Sequence, residues 1–394
     1  MTSSEQNGQE YLGLGFTPTS FAIEKAKARI IEERSGEQFG LFTRWDKLDR
    51  AKQKYWRFSQ VTMIAGMSGS GKSYFLNMLR QDFLDRVDIT YRNVDAFNLN
   101  ETPYECYYQE ETKDAYFEPH PQYGYNALYY PNARLVHYQD VLIHKAINRD
   151  CKHKVLCVHF GYEMDAADEL IRQAGNVIGK SYGYLLSSEW DKELKAYARL
   201  TDMELDACNE ILDSFQDRME LYIPTSGNVD QMYQTLYKIH SMYPDYKVVA
   251  SIDHTLLSKK LNEKSDADLQ ANTALFCIKA RQDFEAMMLP LNQLNQNIES
   301  DDRRTKPALH YPGKADIHLG SQIWWACDDV LINHRPKVLG IKSYGVEKLD
   351  TTSLIHGAFI KARRGTIGNI WFKDDFANGR ILPATKDNFL VGAG

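Results

Sequence analysis

The stretch VTMIAGMSGSGKSYFLNMLRQDFL, residues 61–84, is the part of this 394-residue sequence that determines its fold class. It opens with an apolar run, Val61 to Ala65, which predicts a buried strand. A loop of glycine and serine follows, and from Tyr74 to Leu84 the apolar residues recur on one helical face. We therefore predict a strand, a loop and a helix in succession, which is the repeating unit of α/β proteins.

The loop between the predicted strand and helix has the pattern G-x-x-x-x-G-K-S. Glycines let the backbone N–H groups curve around phosphate oxygens without Cβ clashes, and the start of the helix adds positive potential. The lysine can reach the β- and γ-phosphates, and the final serine hydroxyl can bind Mg²⁺. We predict that this loop binds ATP and Mg²⁺ through Gly66, Ser68, Gly69, Ser70, Gly71, Lys72 and Ser73.

The alternation of strands and helices continues along the chain. Apolar runs predict strands at 155–159, 247–252, 287–291 and 330–333, with a hairpin at 355–362 and 369–372. Amphipathic stretches predict helices at 163–180, 200–219, 229–242 and 266–286. The pattern predicts a mainly parallel, twisted sheet with flanking helices. Asp253 follows one of the strands, and we predict that its carboxylate holds the magnesium ion together with Ser73.

Composition changes divide the chain into segments. We predict a flexible tail (1–18), a linker helix or arm (19–39) and one α/β domain (40–394) that contains an insertion (91–154). The insertion is rich in tyrosine and proline, and its tyrosines suit either stacking on nucleic-acid bases or a partner, or a packed aromatic mini-core.

The linker segment has helical periodicity from residue 19 to residue 36. Thr19 or Ser20 is expected to cap this helix, and Ser35-Gly36 is expected to end it. Because so short an amphipathic helix is marginal alone in water, we expect it to pack on its own domain or on a neighbouring subunit.

Overall composition excludes several classes of protein. The 47 basic and 53 acidic residues give a net charge of −6, which argues against a protein that coats nucleic acid over its whole surface. No apolar run approaches the length of about 18–20 residues that spans a membrane, and the polar start has no secretory signal, so we predict a cytoplasmic protein. Six cysteines without CxxC pairs predict reduced thiols rather than a zinc site.

Four further short motifs lie in order along the chain, together with the glycine loop. They are TRWDKLD (43–49), FGYEM (160–164), NQLN (292–295) and KARRGTIG (361–368). In the same order, these motifs are similar to T-G-F-x-x-L-D, F-S-L-E-M, S-Q-L-N and K-x-R-N-G-P-T-G of one family. Arg172 stands at a matching place downstream of FGYEM. From about Gly40 to about Arg380 the sequence thus resembles the RecA-like motor domain of DnaB-type replicative helicases.

The resemblance implies roles for particular residues. Glu163 would polarise the water that attacks ATP, and Gln293 would sense the γ-phosphate. Lys361 and Arg363 would reach the nucleotide of a neighbouring subunit as an arginine finger does, and their alternation predicts that they share one face of a strand. The resemblance implies a homo-oligomeric ring, expected to be a hexamer, that works on single-stranded or forked DNA with a primase or a helicase loader.

One motif of the family is only partly present. The family's D-L-R-E-S-G-x-I-E-Q-D-A-D aligns with DIHLGSQIWWACD (316–328), where His318 replaces arginine, Leu319 replaces glutamate and Trp324-Trp325 replace Glu-Gln. Because a neutral histidine binds phosphate less strongly than arginine, this departure weakens the predicted grip on DNA. The residues that we predict to contact DNA are Arg303, Arg304, Lys306 and His318.

The sequence therefore predicts an ATP-dependent, ring-forming DNA helicase built on a RecA-like P-loop fold. The roughly 40 residues before Gly40 leave no counterpart of the family's N-terminal helical domain, and this compact, divergent form suits a virus- or mobile-element-encoded helicase acting in the host cytoplasm. Two alternatives stay open: a RecA-fold, DNA-dependent ATPase that does not unwind, and a nucleotide-switched assembly protein.

Overall fold

The structure is a computed structural model of the chain, and it describes the following parts. They are residues 18–87, 89–92, 106–109, 114–117, 135–138, 141–144, 146–162, 164–192, 195–223, 227–255 and 263–390. The α-helices in these parts are α1 (Thr19–Ser35), α2 (Asp46–Ala51), α3 (Lys72–Leu84), α4 (Ala166–Ile178), α5 (Tyr182–Leu185), α6 (Asp202–Ser214), α7 (Val229–Met242), α8 (Asp266–Asp283), α9 (Asp301–Thr305) and α10 (Gly320–Ala326).

The strands in the described parts fall into one large sheet and several small ones. In chain order they are β1 (Thr62–Gly66), β2 (Ile89–Arg92), β3 (Cys106–Gln109), β4 (Asp114–Phe117), β5 (Leu135–Tyr138), β6 (Val141–His144), β7 (Lys154–Gly161), β8 (Trp190–Asp191), β9 (Ala196–Tyr197), β10 (Glu220–Ile223), β11 (Tyr246–Asp253), β12 (Met287–Gln293), β13 (Asp329–His334), β14 (Ser343–Tyr344), β15 (Leu349–Asp350), β16 (Leu354–Ala362), β17 (Gly368–Asp375) and β18 (Arg380–Ala384).

The large sheet has nine strands in the order β10-β7-β11-β12-β1-β13-β16-β17-β18. The first six strands in this order are parallel to one another, and the last three are antiparallel. The predicted α/β class with a mainly parallel sheet is therefore confirmed, and so is the predicted hairpin, which is formed by β16 and β17.

Helices cover both faces of this sheet. Cys157, Val249 and Leu291 pack in one buried cluster with helix α3, whereas their chain neighbours Val158 and Ala250 pack in a second cluster with helices α7 and α8. Because successive residues of a strand point to opposite faces, the odd-numbered residues of β7, β11 and β12 all lie on the α3 side. Each buried leucine on these faces stabilises the fold by about 1.5–3 kcal/mol.

Helix α1 differs from its prediction at its start, and its apolar residues lie at the surface of one copy. Pro18 occupies the N-cap position without a side-chain hydrogen bond, so the expectation that Thr19 or Ser20 caps the helix is wrong. None of the helix residues is buried, and Ile30 and Ile31 are each 67% exposed. The apolar packing that we expected is therefore not with the described part of its own chain.

Two salt bridges attach α1 to the domain. Lys25 pairs with Glu285 at 2.9 Å, and Glu33 pairs with Arg57 at 3.2 Å. The Lys25 pair is exposed and the Glu33 pair is half-buried, and an exposed pair contributes only about 0–1 kcal/mol.

The sequence prediction missed some short elements. The helix predicted at 200–219 is wrong over its last residues, because α6 ends at Ser214 and the edge strand β10 begins at Glu220. The short helices α9 and α10 were also not predicted. Within 91–154 the described strands pair as β3-β4 and β2-β6-β5, and the tyrosine side chains of this insertion lie outside the description.

Cys151, Cys157, Cys208, Cys277 and Cys327 are buried free thiols. Within the described ranges, no group of three or more candidate ligands of the histidine, cysteine or acidic type could hold a metal ion. Over the same ranges, no helix combines the length and apolar character needed to cross a bilayer.

Candidate nucleotide-binding site

The α3 face of the sheet changes from apolar to polar at the carboxyl ends of its parallel strands. Beyond the buried cluster, β7 places His159 and Gly161 on this face, β11 places Ser251 and Asp253 there, and β12 ends with Gln293. In α/β proteins with an open sheet, ligands bind outside the carboxyl ends of the strands. The polar layer therefore marks the floor of a candidate binding site.

The glycine loop lies directly above this floor, between β1 and α3. Gly69 has a φ of 73° and Gly71 a φ of 85°, a backbone conformation that residues with side chains rarely adopt. Helix α3 begins at Lys72, whose side chain is buried and whose Nζ donates to the carbonyl oxygen of Met67 at 2.7 Å. The lysine thus lies across its own loop, close to where phosphate groups would bind.

Gly66 needs to be glycine for a steric reason. A Cβ at this position would lie only 2.5 Å from the carbonyl oxygen of Asn333 in the neighbouring strand. Ser70 is buried inside the loop, and its Oγ has no hydrogen-bond partner in the described part of the chain. Gly66 and Ser70 pack on the inner side of the loop, and neither lines the cavity next to it.

The loop and the polar layer enclose a cavity of about 480 Å³. Predicted site residues that line it are Ser68, Gly69, Gly71, Lys72, Ser73, Asp253 and Gln293, and Arg172 joins them. Lining residues that the sequence did not predict are Tyr74, His159, Gly161, Met164, Glu169, His254, Arg335 and Phe376. The structure thus brings together residues from six separate parts of the chain.

Two of the lining residues suit a magnesium ion. Asp253 is the last residue of β11 and is largely buried, and Ser73 lies in the first turn of α3. Mg²⁺ prefers hard oxygen ligands and keeps several of its waters. A serine hydroxyl and a carboxylate in one cavity fit this preference.

Gln293 touches the strand end that carries Asp253. Its Nε2 lies 3.4 Å from Nε2 of His254, the residue that follows Asp253. A side chain at the end of β12 is thus linked to the candidate magnesium carboxylate through one histidine. This contact joins the ends of two adjacent strands, each of which carries a predicted site residue.

His159 forms part of the cavity floor. Its ring is 3% exposed, and its Nδ1 lies 2.8 Å from Oγ of Ser251. Burial, with a smaller effect of the Arg80 guanidinium, lowers the pKa of His159 well below its ordinary value. The imidazole is therefore neutral at physiological pH.

A buried charge network fixes the wall of the cavity next to His159. Glu169 of α4 accepts hydrogen bonds from Asn77 and Arg80 of α3, each at 2.5 Å. Arg80 also pairs with Glu220 of β10 at 3.3 Å. Burial alone would lower the pKa of Arg80, but the two carboxylates outweigh it and raise the pKa above its ordinary value. The network joins α3, α4 and β10 around one guanidinium.

An aromatic surface forms the rim of the cavity. The guanidinium carbon of Arg335 lies 4.9 Å from the ring centroid of Phe376, and Arg335 also pairs with Asp374 at 2.6 Å. A Cβ on Gly71 would lie 2.8 Å from Cζ of Phe376, so the ring packs directly on the glycine loop. A flat ring at this place can stack against a nucleobase.

Lys361 and Arg363 are not among the described residues that line the cavity. Lys361 donates to the carbonyl oxygen of Trp324 at 2.5 Å, and Arg363 pairs with Asp328 at 2.8 Å. Arg363 lies one residue beyond the end of β16, and its N–H donates to the carbonyl oxygen of Asp328 at 3.0 Å. Both residues flank the start of β13, and their position on one face of the strand stays a prediction.

These two basic residues lie at the opposite end of the sheet from the cavity. Asp329, next to Arg363, is paired with Thr62 at the start of β1, whereas the glycine loop follows Gly66 at its end. Five residues of strand span about 16 Å. One copy of the chain therefore does not bring Lys361 and Arg363 to its own cavity.

Two of the predicted DNA-contacting residues have partners within the chain. Arg303 donates to Asp316 at 2.9 Å and to the carbonyl oxygen of Tyr311 at 3.0 Å. Lys306 pairs with Asp302 at 2.9 Å on the exposed side of α9. Arg303 is therefore engaged in holding the segment together.

Arg304 and His318 have different positions. Arg304 has an exposed side chain on α9. The backbone N–H of His318 donates to the carbonyl oxygen of Gln293 at 2.9 Å, and its carbonyl oxygen accepts from Asn292 at 3.3 Å. The segment of the predicted DNA contacts is thus bonded directly to the strand that carries the predicted γ-phosphate sensor. Glu163, the predicted catalytic base, lies outside the described residues.

The glycine loop above the carboxyl edge of this parallel sheet, together with the order of its strands, defines the class of fold: it is the RecA-like α/β fold. Among solved structures, the chain is similar to the ATPase domain of G40P, with a TM-score of 0.62, 13% identity, and coverage of 92% of this chain and 99% of that one.

The chain is also similar to a DnaB-like replicative helicase, whose structure was described together with its interactions with primase. Here the TM-score is 0.61 and the identity 12%, with coverage of 94% of this chain and 67% of that chain. At these identities the likeness establishes the fold, which confirms the expected resemblance at that level. The sequence matches no protein-family model and no curated protein.

Proposed function

We propose that the chain is the motor of an ATP-dependent DNA helicase that forms a ring, with six copies as the expected number, and translocates on single-stranded DNA during replication. One observation carries this proposal: on a RecA-like sheet, the glycine loop, Asp253 and Gln293 line a single cavity. The fold likeness to helicase ATPase domains supports the same class of activity.

Each cavity residue has a role that its position suits. Backbone N–H groups of the glycine loop and the ammonium of Lys72 hold the phosphates of ATP, which buries their charge next to the start of α3. Ser73 and Asp253 would hold Mg²⁺, which neutralises charge on the β- and γ-phosphates. Phe376 offers its ring to the base at the rim.

Hydrolysis and its coupling to DNA rest on residues around the terminal phosphate. Glu163 is proposed to accept a proton from the attacking water, and Gln293 to bond the γ-phosphate and lose that bond after hydrolysis. The backbone bond from His318 to Gln293 would pass this change to the DNA-contacting segment, for which Arg303, Arg304, Lys306 and His318 are proposed.

The neighbouring subunit is proposed to complete the site. Lys361 and Arg363 lie at the other end of the sheet from their own cavity, and cations placed there can stabilise charge on a phosphoryl group held by the next copy. Forked or single-stranded DNA, and a primase or helicase loader, are the proposed partners. We place this activity in the cytoplasm, that of the host if a virus encodes the chain.

DNA-stimulated ATP hydrolysis tests the proposal. We expect the wild type to hydrolyse ATP faster with single-stranded DNA and Lys72→Ala to lose ATP binding. Glu163→Gln is expected to keep ATP binding and to lose turnover by about 100-fold or more, since a general base contributes about 10²–10⁴-fold. A wild type that binds ATP but does not hydrolyse it would contradict the proposal and favour a nucleotide-switched assembly protein.

A second candidate function is a DNA-dependent ATPase that does not unwind. The observation that favours it is the engagement of Arg303 by Asp316, together with histidine in place of arginine at position 318. Both features reduce the positive charge available for phosphate contacts. Strand displacement on forked DNA separates this candidate from the helicase.

A further inference from the structure

The first polar layer beneath Asp253 consists of a histidine and a serine that face each other across two strands. His159 of β7 and Ser251 of β11 are partners in the parallel register, and the next partners on the same face are Gly161 and Asp253. His159 therefore lies one pleat below the carboxylate that would hold the magnesium ion.

The ring of His159 extends toward the cavity. A Cβ on Gly161 would lie 2.6 Å from Nε2 and 2.7 Å from Cδ2 of His159, so the ring fills the space that any side chain at 161 would need. Because both residues line the cavity, the Nε2 edge of the ring is the edge turned toward it.

The hydrogen bonds of His159 define what its Nε2 can do. Nδ1 lies 2.8 Å from Oγ of Ser251, and that hydroxyl lies 3.5 Å from the carbonyl oxygen of Val158. In the tautomer that donates from Nδ1–H to the hydroxyl, with the hydroxyl donating on to the carbonyl, Nε2 is unprotonated. No described residue bonds to this nitrogen, so in this tautomer Nε2 is a hydrogen-bond acceptor at the cavity floor.

A second acceptor lies in the neighbouring wall. Glu169 lines the cavity, and the hydrogen bonds from Asn77 and Arg80 both end on its Oε2. These bonds lock the carboxylate in place while Oε1 remains available. Neither His159 nor Glu169 has a role in the chemistry described above.

We propose that His159 and Glu169 are positioning residues that accept hydrogen bonds from the water around the magnesium ion held by Ser73 and Asp253. This inference rests on the proposed ATPase function. Mg²⁺ keeps several waters when it binds a nucleotide, and these waters are strong donors that need fixed acceptors. The histidine and the glutamate supply two such acceptors from the sheet and from α4.

A magnesium titration of nucleotide binding tests the proposal without relying on turnover. The full chain is titrated with MgCl₂ in the presence of a fluorescent, non-hydrolysable ATP analogue. We expect His159→Phe and Glu169→Gln each to need about 10-fold or more Mg²⁺ for half-maximal binding, the usual effect of losing an outer partner of a metal site. Binding without Mg²⁺ is expected to stay unchanged.

Two further variants separate positioning from general damage. His159→Gln carries an amide oxygen that can replace Nε2, and we expect it to restore most of the magnesium response. His356→Phe changes another buried histidine of the same sheet that does not line the cavity, and its magnesium response is expected to match the wild type. If His159→Phe does not fold, Glu169→Gln and His159→Gln still decide the question.

The outcomes distinguish this inference from the function on which it rests. Suppose that the wild type binds the analogue in a magnesium-dependent way and that His159→Phe and Glu169→Gln need the same Mg²⁺ concentration as the wild type. In that case His159 and Glu169 do not position the water. If the wild type binds no nucleotide at any magnesium concentration, the proposed ATPase function fails and the inference fails with it.

Discussion

Single glycines of this protein leave room that specific neighbours occupy. The backbone of Asn333 packs against Gly66, the ring of Phe376 against Gly71, and the ring of His159 against Gly161. At each position an added Cβ would approach its neighbour to 2.8 Å or less. The shape of the cavity therefore depends on atoms that these residues lack.

Replacement of Gly161 tests this dependence. We expect Gly161→Ala to destabilise the fold by about 1–3 kcal/mol, because the His159 ring must leave its position. In a His159→Ala background the same change should lower the free energy of unfolding much less. Urea unfolding of the wild type, the two single variants and the double variant measures the coupling between the residues. Equal costs in both backgrounds would show that the two residues do not compete for space.

Sequence alone predicted those parts of the site that short, local stretches of the chain mark. The glycine loop and Asp253 stand at the ends of apolar runs, so local spacing marks them, and Gln293 was marked by the resemblance of its motif. No local sequence pattern distinguishes His159 and Glu169. Only the order of the strands and the packing of α4 on α3 bring them close to the loop. Long-range packing of this kind leaves no pattern in a single sequence.

Strand pairing brings two histidines together in the core. His334 of β13 and His356 of β16 are register partners, and both are fully buried. His356 bonds to Tyr344 at 2.8 Å and to Asn369 at 2.9 Å, whereas neither ring nitrogen of His334 has a partner in the described ranges. This pair of strands therefore carries a buried imidazole whose nitrogens have no described hydrogen-bond partner.

Acid should destabilise the fold through His334. Burial, with smaller effects of His356 and Arg303, lowers the pKa of His334 from 6.5 to about 3, so only the unfolded chain takes up this proton between those values. The contribution of the neutral His334 to the free energy of unfolding is present above pH 6.5 and is lost as the pH falls toward 3. Between pH 7 and pH 5, one such histidine lowers the free energy of unfolding by about 2 kcal/mol.

His334→Phe removes this proton uptake. We therefore expect the variant to lose about 2 kcal/mol less than the wild type when urea unfolding is compared at pH 7 and pH 5. Equal losses in the two proteins would mean that His334 is not held neutral in the folded state.

Elements with strong periodicity were predicted well, and short ones were not. The strands β7, β11 and β12 were found with their ends within two residues, since long apolar runs mark them. The edge strand β10 has only four residues, and the sequence-based helix prediction ran up to it. The cap of α1 was misplaced because Pro18 fixes the entry of the chain without a capping side chain.

The whole molecule places Lys361 and Arg363 and its cavity at opposite ends of one sheet. Helix α1 in addition exposes Ile23, Ile30 and Ile31, and ion pairs hold it to its own domain. Both features suit an assembly in which each copy completes the next, as heterologous contacts in a ring do. The net charge of −6 is compatible with DNA binding if basic residues concentrate on the inner surface.

Mixed assemblies test whether the site is shared. Lys72→Ala and Arg363→Ala are each expected to lose ATP hydrolysis alone. When the two variants are assembled together, about one quarter of the interfaces combine an intact Lys72 with an intact Arg363, so activity should return. If the mixture stays inactive although native mass spectrometry shows mixed rings, Arg363 does not act across the interface.

The central claim, that ATP turnover at this cavity drives the separation of DNA strands, is tested most directly by strand displacement on a forked duplex. We predict that the wild type releases the labelled strand only with ATP and Mg²⁺, and that Glu163→Gln binds ATP and DNA but releases none. ATP hydrolysis by the wild type with single-stranded DNA, but without strand release from the fork, would contradict the claim.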